Sequence, residues 1–231
     1  MAKKISRIAI MASVAFLATT SVQAEVSIGT DVVSRYVWRG TDFGNAASVQ
    51  PYLSYSSGPL EVGAWSSWAL SGMDADGASE NDLYITYSAG PVGVTLTDYY
   101  FPESGNFLDF AKDQEEVTVS AAGDTTKNTI NGYHLIEISA SYSAGPLGLM
   151  GGFFFWGDTD DSFYAEINYE LMSSDDMSLG LTGGAGNGQF TTDTDPNVVN
   201  LAITATKDSY SASYIINPEA ETTFLVFGIS F

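Results

Sequence analysis

Thr222-Thr-Phe-Leu-Val-Phe-Gly-Ile-Ser-Phe231 decides the fold of this chain. Every second residue from Leu225 to Phe231 is apolar, and this two-residue period is that of a β-strand with two different environments. A strand that ends on an aromatic residue suits the closing strand of an outer-membrane β-barrel, where one face meets lipid and the other the lumen. The stretch therefore predicts a transmembrane barrel, and the rest of the chain can be compared with that prediction.

The first 24 residues have the pattern of a secretory signal peptide. Lys3, Lys4 and Arg7 precede a short apolar run at 8–18, and Val22-Gln23-Ala24 resembles a cleavage site. We therefore expect export and a single mature domain at 25–231.

The composition excludes several classes of protein. The formal net charge is −20 with only 8 Lys and Arg, so nucleic acid, which requires clustered basic residues, is not an expected partner. Cysteine is absent, which excludes a disulfide framework. After residue 24 no apolar run is long enough to form a transmembrane helix.

Alternating segments continue along the whole mature chain and predict an all-β fold, an antiparallel up-and-down barrel of 12 strands. The predicted strands are 26–39, 48–56, 59–70, 81–89, 91–101, 130–144, 146–156, 162–171, 177–186, 197–206, 209–216 and 222–231. Connections after odd strands are long and polar, whereas those after even strands are short. With both termini beside the short turns, this is the pattern of bacterial outer-membrane barrels, and we expect that location.

A repeated turn sequence supports the strand assignment. Tyr-Ser-x-Gly-Pro occurs at 55–59, 87–91 and 142–146, each time between two alternating segments. A small residue followed by glycine is predicted to form each two-residue turn. This register places Tyr55, Tyr87 and Tyr142 opposite Leu60, Val92 and Leu147, on the outer face near a membrane interface.

Charged side chains in the predicted strands share the opposite, lumen-facing phase, because charges facing lipid are costly. Candidate lumen-lining residues are Asp31, Arg35, Arg39, Glu61, Asp82, Glu137, Glu166 and Glu170. Arg35 and Arg39 could form a charged constriction, or they could form ion pairs that brace the barrel wall. The tyrosine and tryptophan of the same segment, Tyr36 and Trp38, are predicted to face outward near the external end.

No catalytic, metal or cofactor site is predicted. The acidic loop sequences Asp74-x-Asp76-Gly77, Asp158-x-Asp160-Asp161 and Asp193-x-Asp195 do not match the twelve-residue calcium loop. Solvated loops bridged to lipopolysaccharide by divalent ions are the favoured interpretation. The single histidine, His134, has no serine two residues away on its face, so an enzyme is not expected. The long segment 102–129 could fold into the lumen or extend its two strands beyond the membrane.

Ser34-Arg-Tyr-Val-Trp-Arg-Gly40 followed by Ser48-Val-Gln-Pro-Tyr52 resembles the TorF-type porins, a family of exported Gram-negative proteins. The resemblance implies an outer-membrane barrel with pore function and identifies no ligand or catalytic residue. Resemblance to outer-membrane proteins also implies that Phe231 is the assembly signal read by the barrel-assembly machinery.

Two main hypotheses of function remain open at this point. The first is a porin or channel for passive diffusion of small solutes, with a preference for cations because most inward charges are acidic. The second is a non-conducting structural or adhesive barrel, and an outer-membrane lipid-modifying enzyme is a weaker alternative. The expected partners are outer-membrane lipid and lipopolysaccharide, the assembly machinery and small solutes.

Overall fold

The structure is a computed structural model and describes residues 24–70, 79–102, 105–120 and 124–231. The predicted signal peptide, apart from Ala24, and the acidic sequence at 74–77 lie outside the described residues. No helix in the described ranges is long and apolar enough to cross a membrane.

The described residues form sixteen β-strands. In chain order they are β1 (Glu25–Val33), β2 (Val37–Trp38), β3 (Thr41–Asp42), β4 (Ser48–Ser57), β5 (Leu60–Ala69), β6 (Glu80–Ala89), β7 (Val92–Tyr100), β8 (Asp113–Val119), β9 (Thr125–Asn131), β10 (His134–Ala144), β11 (Leu147–Trp156), β12 (Phe163–Ser173), β13 (Met177–Gly188), β14 (Thr194–Lys207), β15 (Tyr210–Asn217) and β16 (Thr222–Ser230).

Twelve of these strands close into one antiparallel barrel, which confirms the predicted fold. Around the wall the order is β1, β16, β15, β14, β13, β12, β11, β10, β7, β6, β5 and β4, and β4 pairs with β1. The remaining strands form two separate hairpins, β2–β3 and β8–β9. In the closed wall each barrel strand pairs with a neighbouring strand on both sides. The sheet therefore has no edge strand, as a barrel in lipid requires.

The predicted asymmetry of the connections is also confirmed. Short turns join β4 to β5, β6 to β7, β10 to β11, β12 to β13 and β14 to β15. The chain enters β1 and leaves β16 at this same side, which we call the short-turn end. The longer connections that the structure describes, including the β2–β3 and β8–β9 hairpins, lie at the opposite, long-loop end.

The predicted position of the three repeated turns is wrong by one residue. Ser57 pairs with Leu60, and Ala89 pairs with Val92, so each turn consists of Gly-Pro rather than of a small residue and glycine. Gly58 and Gly90 have φ of 60°, because the first position of a type II′ turn needs the positive φ that glycine adopts easily. Proline with its fixed φ fills the second position of the turn instead of starting the next strand.

This shift does not change which residues share a face, because it moves the partner of each tyrosine by two positions. The tyrosines oppose Val62, Val94 and Leu149. Tyr55, Tyr87 and Tyr142 are 46%, 55% and 40% exposed on the outer wall, as their predicted phase requires.

Each barrel strand also presents at least one exposed large apolar side chain to the outside. They include Ile28, Leu53, Val62, Ile85, Leu96, Ile138, Leu149, Ile167, Leu181, Ile203, Tyr214 and Leu225.

The core of the protein lies inside the barrel and near the long-loop end. It consists of the buried side chains Tyr36, Trp38, Trp65, Tyr99, Leu135, Phe154, Tyr164, Phe190 and Val199. Toward the short-turn end the lumen contains small polar groups, for example the hydroxyl pairs Thr86–Thr95 and Thr204–Ser213. The two halves of the lumen therefore differ, one being packed with aromatic rings and the other polar.

The prediction for the first strand is wrong in its second half. The strand ends at Val33 instead of Arg39, and the chain then leaves the wall and turns into the lumen. Tyr36 and Trp38 are consequently buried members of the core and do not face outward. The described part of the long segment 102–129, by contrast, contains β8 and most of β9. These two strands pair with each other as an exposed hairpin beyond the barrel wall.

Candidate functional site

The segment 34–47, which we call the lumen hairpin, is the candidate functional site. It contains β2 and β3, joined by a two-residue turn of Arg39 and Gly40. Both turn residues have positive φ, 52° and 81°, as in a type I′ turn. A side chain on Gly40 would collide with the carbonyl oxygen of Val199 in β14, so only glycine fits where the tip meets the opposite wall.

Arg39, at the tip of the lumen hairpin, forms a buried bidentate ion pair with Glu137 of β10. Its Nη1 donates to Oε2 over 2.5 Å and its Nη2 donates to Oε1 over 2.8 Å. The two side chains are only 6% and 2% exposed. Charge-assisted bidentate pairs are among the strongest polar contacts in proteins, so this pair anchors the tip inside the barrel.

Aromatic rings surround the guanidinium group of Arg39. Its central carbon lies 4.3 Å from the ring centre of Trp38 and 4.7 Å from that of Tyr164, with Phe190 at 5.6 Å. Trp38 in turn contacts Tyr99 of β7, with 5.3 Å between ring centres. These cation–π and ring contacts replace the water that the guanidinium group loses on burial.

A second polar contact fixes the start of the lumen hairpin. The hydroxyl of Tyr36 donates to Oε2 of Glu80 in β6 over 2.7 Å, and the Tyr36 ring packs against Trp65 of β5. On the opposite side of the lumen, the side-chain amide of Asn217 donates to the carbonyl of Gly40. The hairpin thus reaches across the lumen from β5 and β6 to β14 and β15.

The other predicted lumen residues do not form one constellation. Asp31 is buried in β1, and Asp82 in β6 is almost fully buried. Glu166 is buried and accepts hydrogen bonds from Tyr164 (2.6 Å) and Asn168.

Toward the short-turn end the remaining carboxylates are less enclosed. Glu61 is half-buried and accepts from Tyr84 over 3.0 Å and from Ser56 over 2.9 Å. Glu170 is exposed.

Arg35 lies at the mouth of the barrel at the long-loop end, where it is partly exposed. It pairs with Asp42 at 3.1 Å, donates to Asn45, and sits over the ring of Phe224. The structure therefore separates the two arginines. Arg35 braces the base of the lumen hairpin, and Arg39 fixes its tip.

A cavity of about 150 Å³ remains beside the lumen hairpin. It is lined by polar groups of the wall, including Gln50, Thr182, Asn200, Thr204 and Ser213, and by Asp31 and Glu166. A space of this size holds a few water molecules. Apolar side chains, among them Val33, Ile215 and Val226, form much of the rest of its lining.

His134 lies outside the lumen, on the outer face of β10. Its Nδ1 is 2.9 Å from the carboxylate of Asp98, and its Nε2 is 2.8 Å from the carbonyl oxygen of Phe107. The ring of Phe110 stacks on it at 3.9 Å. The segment 105–111 thereby covers His134 and its partner Asp98, which also faces outward. Among the described contacts, no serine hydroxyl approaches the imidazole ring of His134.

The acidic loop residues at the long-loop end include one structural carboxylate. Asp158 accepts hydrogen bonds from the backbone N–H and the hydroxyl of Ser162, at 2.6 and 3.1 Å. Burial raises the pKa of Asp158, and these two hydrogen bonds oppose the rise. Within the part of the chain that the structure describes, no three His, Cys, Asp or Glu side chains are grouped closely enough to hold a metal ion.

Sequence reasoning missed Glu80, because it was assigned to a loop, and it missed Phe190 and the inward direction of Tyr36. A signal for the lumen hairpin was present. Arg39-Gly40 within an alternating segment fits a two-residue hairpin turn that ends in glycine.

Comparison with known proteins adds the family. Residues 17–224 match the family described as "Bacterial protein of unknown function (Gcw_chp)". The chain belongs to the Gcw_chp family. No curated protein matches it. Among solved structures, a mutant of the Rh. blastica porin is similar over 90% of this chain and 99% of that chain, with 12% identity and a TM-score of 0.35. None of these comparisons gives the name TorF.

In this Gcw_chp barrel the segment that carries the arginine–glycine sequence is the segment that fills the lumen. Chemically, the arrangement places a cavity, lined by Asp31, Glu166 and neutral polar and apolar groups, beside a hairpin that two buried polar contacts hold in place.

Proposed function

We propose that the protein is an outer-membrane channel for small solutes, whose lumen hairpin keeps the passage narrow and controls its opening. The observation that carries this proposal is the lumen hairpin itself, which crosses the barrel and is held at its tip by Arg39 and Glu137. In a barrel with a purely structural role, side chains of the wall strands would be enough to fill the lumen. The lumen hairpin is a separate element, and Arg39 at its tip has a strained, positive φ, so we infer that it can move as a unit.

The outer-membrane location is supported by the outer wall. Exposed apolar side chains occur on every barrel strand, and exposed tyrosines lie near three of the short turns. A soluble protein rarely exposes apolar surface on this scale, whereas a membrane barrel requires it. The resemblance to TorF-type porins in the lumen hairpin is consistent with the same location.

We further propose that the passage prefers cations. Asp31, Glu61 and Glu166 line or face the open part of the lumen, while the guanidinium of Arg39 is already paired with Glu137. Uncompensated carboxylates in a narrow lumen raise the local concentration of cations and exclude anions.

Planar-bilayer recording of the folded protein tests the proposal. We expect small or infrequent openings in the wild-type protein and larger, more frequent ones in Glu137→Ala, with reversal potentials in a salt gradient that indicate cation preference. A heat-modifiable gel shift of each sample verifies that the barrel is folded. Anion preference would contradict the charge argument.

A non-conducting barrel is the second candidate, and the packed aromatic core at the long-loop end favours it. It predicts that both the wild-type protein and Glu137→Ala remain silent although folded. That result would remove the channel proposal and leave a structural or adhesive role.

A further inference from the structure

Glu80 and Asp82 occupy successive inward positions of β6 behind the lumen hairpin. They are 1% and 3% exposed, and because they are two residues apart in the strand their carboxyl groups are neighbours on the same face, out of water. A hydrogen bond between two such carboxyl groups would need a proton, because two carboxylates can only accept. Two ionised carboxylates in contact and out of water would also repel each other strongly.

The described groups around this carboxyl pair supply no counter-charge. Asp82 lies between Trp65 of β5 and Tyr99 of β7 in the sheet, and Tyr36 of the lumen hairpin donates to Glu80. The nearby Arg39 is occupied by Glu137. The remaining charged group that influences the pair, Asp98 on the other face of β7, is itself acidic.

A second observation limits what can offset the charge of the pair. Oδ1 of Asp82 is buried and has no hydrogen-bond partner. A metal ion or a water molecule at this oxygen needs space, which a buried atom without accessible surface does not have. A proton occupies no such space, and it turns the pair into a neutral acid hydrogen-bonded to a single carboxylate.

We propose that Glu80 and Asp82 form a proton-binding site that holds the lumen hairpin in the barrel. With the proton bound, the pair tolerates burial and Glu80 accepts from Tyr36. Loss of the proton leaves two adjacent buried charges, which become stable only when the hairpin moves away and water enters. The effect on conductance rests on the proposed channel function, whereas the proton site itself does not.

The direction of the pH dependence follows from linkage. The closed arrangement holds one more proton than the open one, so it is favoured at low pH, and the open arrangement gains as pH rises. For one proton the ratio of open to closed changes by up to about tenfold per pH unit.

Bilayer recording at different pH values tests the coupling between proton release and opening of the hairpin. The range from about pH 5 to about pH 9 lies between the ordinary pKa values of carboxyl groups and of tyrosine. We expect the wild-type open probability to rise with pH, and Asp82→Asn to stay closed and nearly independent of pH. An asparagine can still donate to Glu80 but binds no titrating proton. Glu115→Gln, an exposed carboxyl group of the β8–β9 hairpin outside the lumen, should follow the wild type. An unchanged pH response in Asp82→Asn would overturn the coupling.

Infrared spectroscopy of the folded protein near neutral pH tests the site without any conductance. We expect a carboxylic-acid C=O band in the wild type and in Glu115→Gln that disappears in Asp82→Asn. Glu80→Gln serves as a second variant if Asp82→Asn does not fold. Absence of the band in the wild type would overturn the proton site. A band in a protein that never conducts would instead reject the channel function while the site stands.

Discussion

Replacing Glu137 with alanine should release the lumen hairpin from the barrel. In the wild-type protein both terminal nitrogens of Arg39 are bound to Glu137, and the two side chains are 6% and 2% exposed. Removing one partner of a buried ion pair costs about 3–5 kcal/mol, because the other charge is left without compensation. At about 1.4 kcal/mol per factor of ten, the balance between inserted and released hairpin should shift by about two to three orders of magnitude.

The other contacts of the lumen hairpin do not offset this loss. The hydrogen bond from Tyr36 to Glu80 contributes about 1.5–3 kcal/mol if its acceptor is charged, and less if it is neutral. The positive φ of Arg39 itself costs about 1–3 kcal/mol, which favours release once the ion pair is gone.

Limited digestion with trypsin measures the release directly. Trypsin cleaves after Arg39 only when the hairpin leaves the lumen, and the mature chain has few other basic residues. When opening and closing are fast, the cleavage rate follows the population of the open form, so Glu137→Ala should be cut about a hundredfold faster or more. Mass spectrometry identifies the cut.

Glu115→Ala is the matched control, because it removes a glutamate from the exposed pair with Lys127. That pair is 2.7 Å long but 62% and 58% exposed, so its loss should change stability by at most about 1 kcal/mol. If Glu137→Ala were cleaved after Arg39 no faster than this control, the ion pair would not be what holds the hairpin.

Further variants test other parts of the structure. Gly152→Ala should also release the lumen hairpin, since the added methyl group would collide with the carboxylate of Glu137, whereas Gly151→Ala next to it meets nothing closer than 4.0 Å and should behave like the wild type in the same digestion. Tyr36→Phe should weaken insertion by about 1–3 kcal/mol through the lost hydroxyl, visible as a smaller rise in cleavage than in Glu137→Ala. Deletion of Phe231, whose backbone pairs with β1, should reduce the heat-modifiable form in membranes more than deletion of the loop at 218–221, and an unchanged amount would reject its role in assembly.

Much of the fold could be predicted from the sequence because a barrel wall imposes a strict two-residue period. Alternation places side chains on two faces wherever a strand lies, and the length of each connection follows from which end of the barrel it joins. These are local properties. The turns were predicted one residue too early, but this error left every side chain on its predicted face. It moved the cross-strand partner of each residue by two positions, and residues two apart in a strand share a face.

The candidate site could not be predicted in the same way, because it depends on contacts between distant residues. Alternation continues unbroken through 34–39, so the pattern cannot distinguish a wall strand from a hairpin inside the lumen. The partner of Arg39 is 98 residues away along the chain. Glu80 was assigned to a loop because β6 starts one residue before the alternating apolar pattern begins. The burial of Glu80 depends on Tyr36, which reaches it from the lumen hairpin.

The inward turn after Val33 has a consequence for the seam where the two ends of the sheet meet. Only residues 30–34 pair with residues 227–231 across this seam, whereas all of β1 is in register with β4. The two strands are also the farthest apart in sequence, so they should join last during assembly and separate first on heating. Since β1 leads directly into the lumen hairpin, any movement of the hairpin pulls on this short join. A partial opening there would connect the lumen sideways with the surrounding bilayer, rather than with the water at either end.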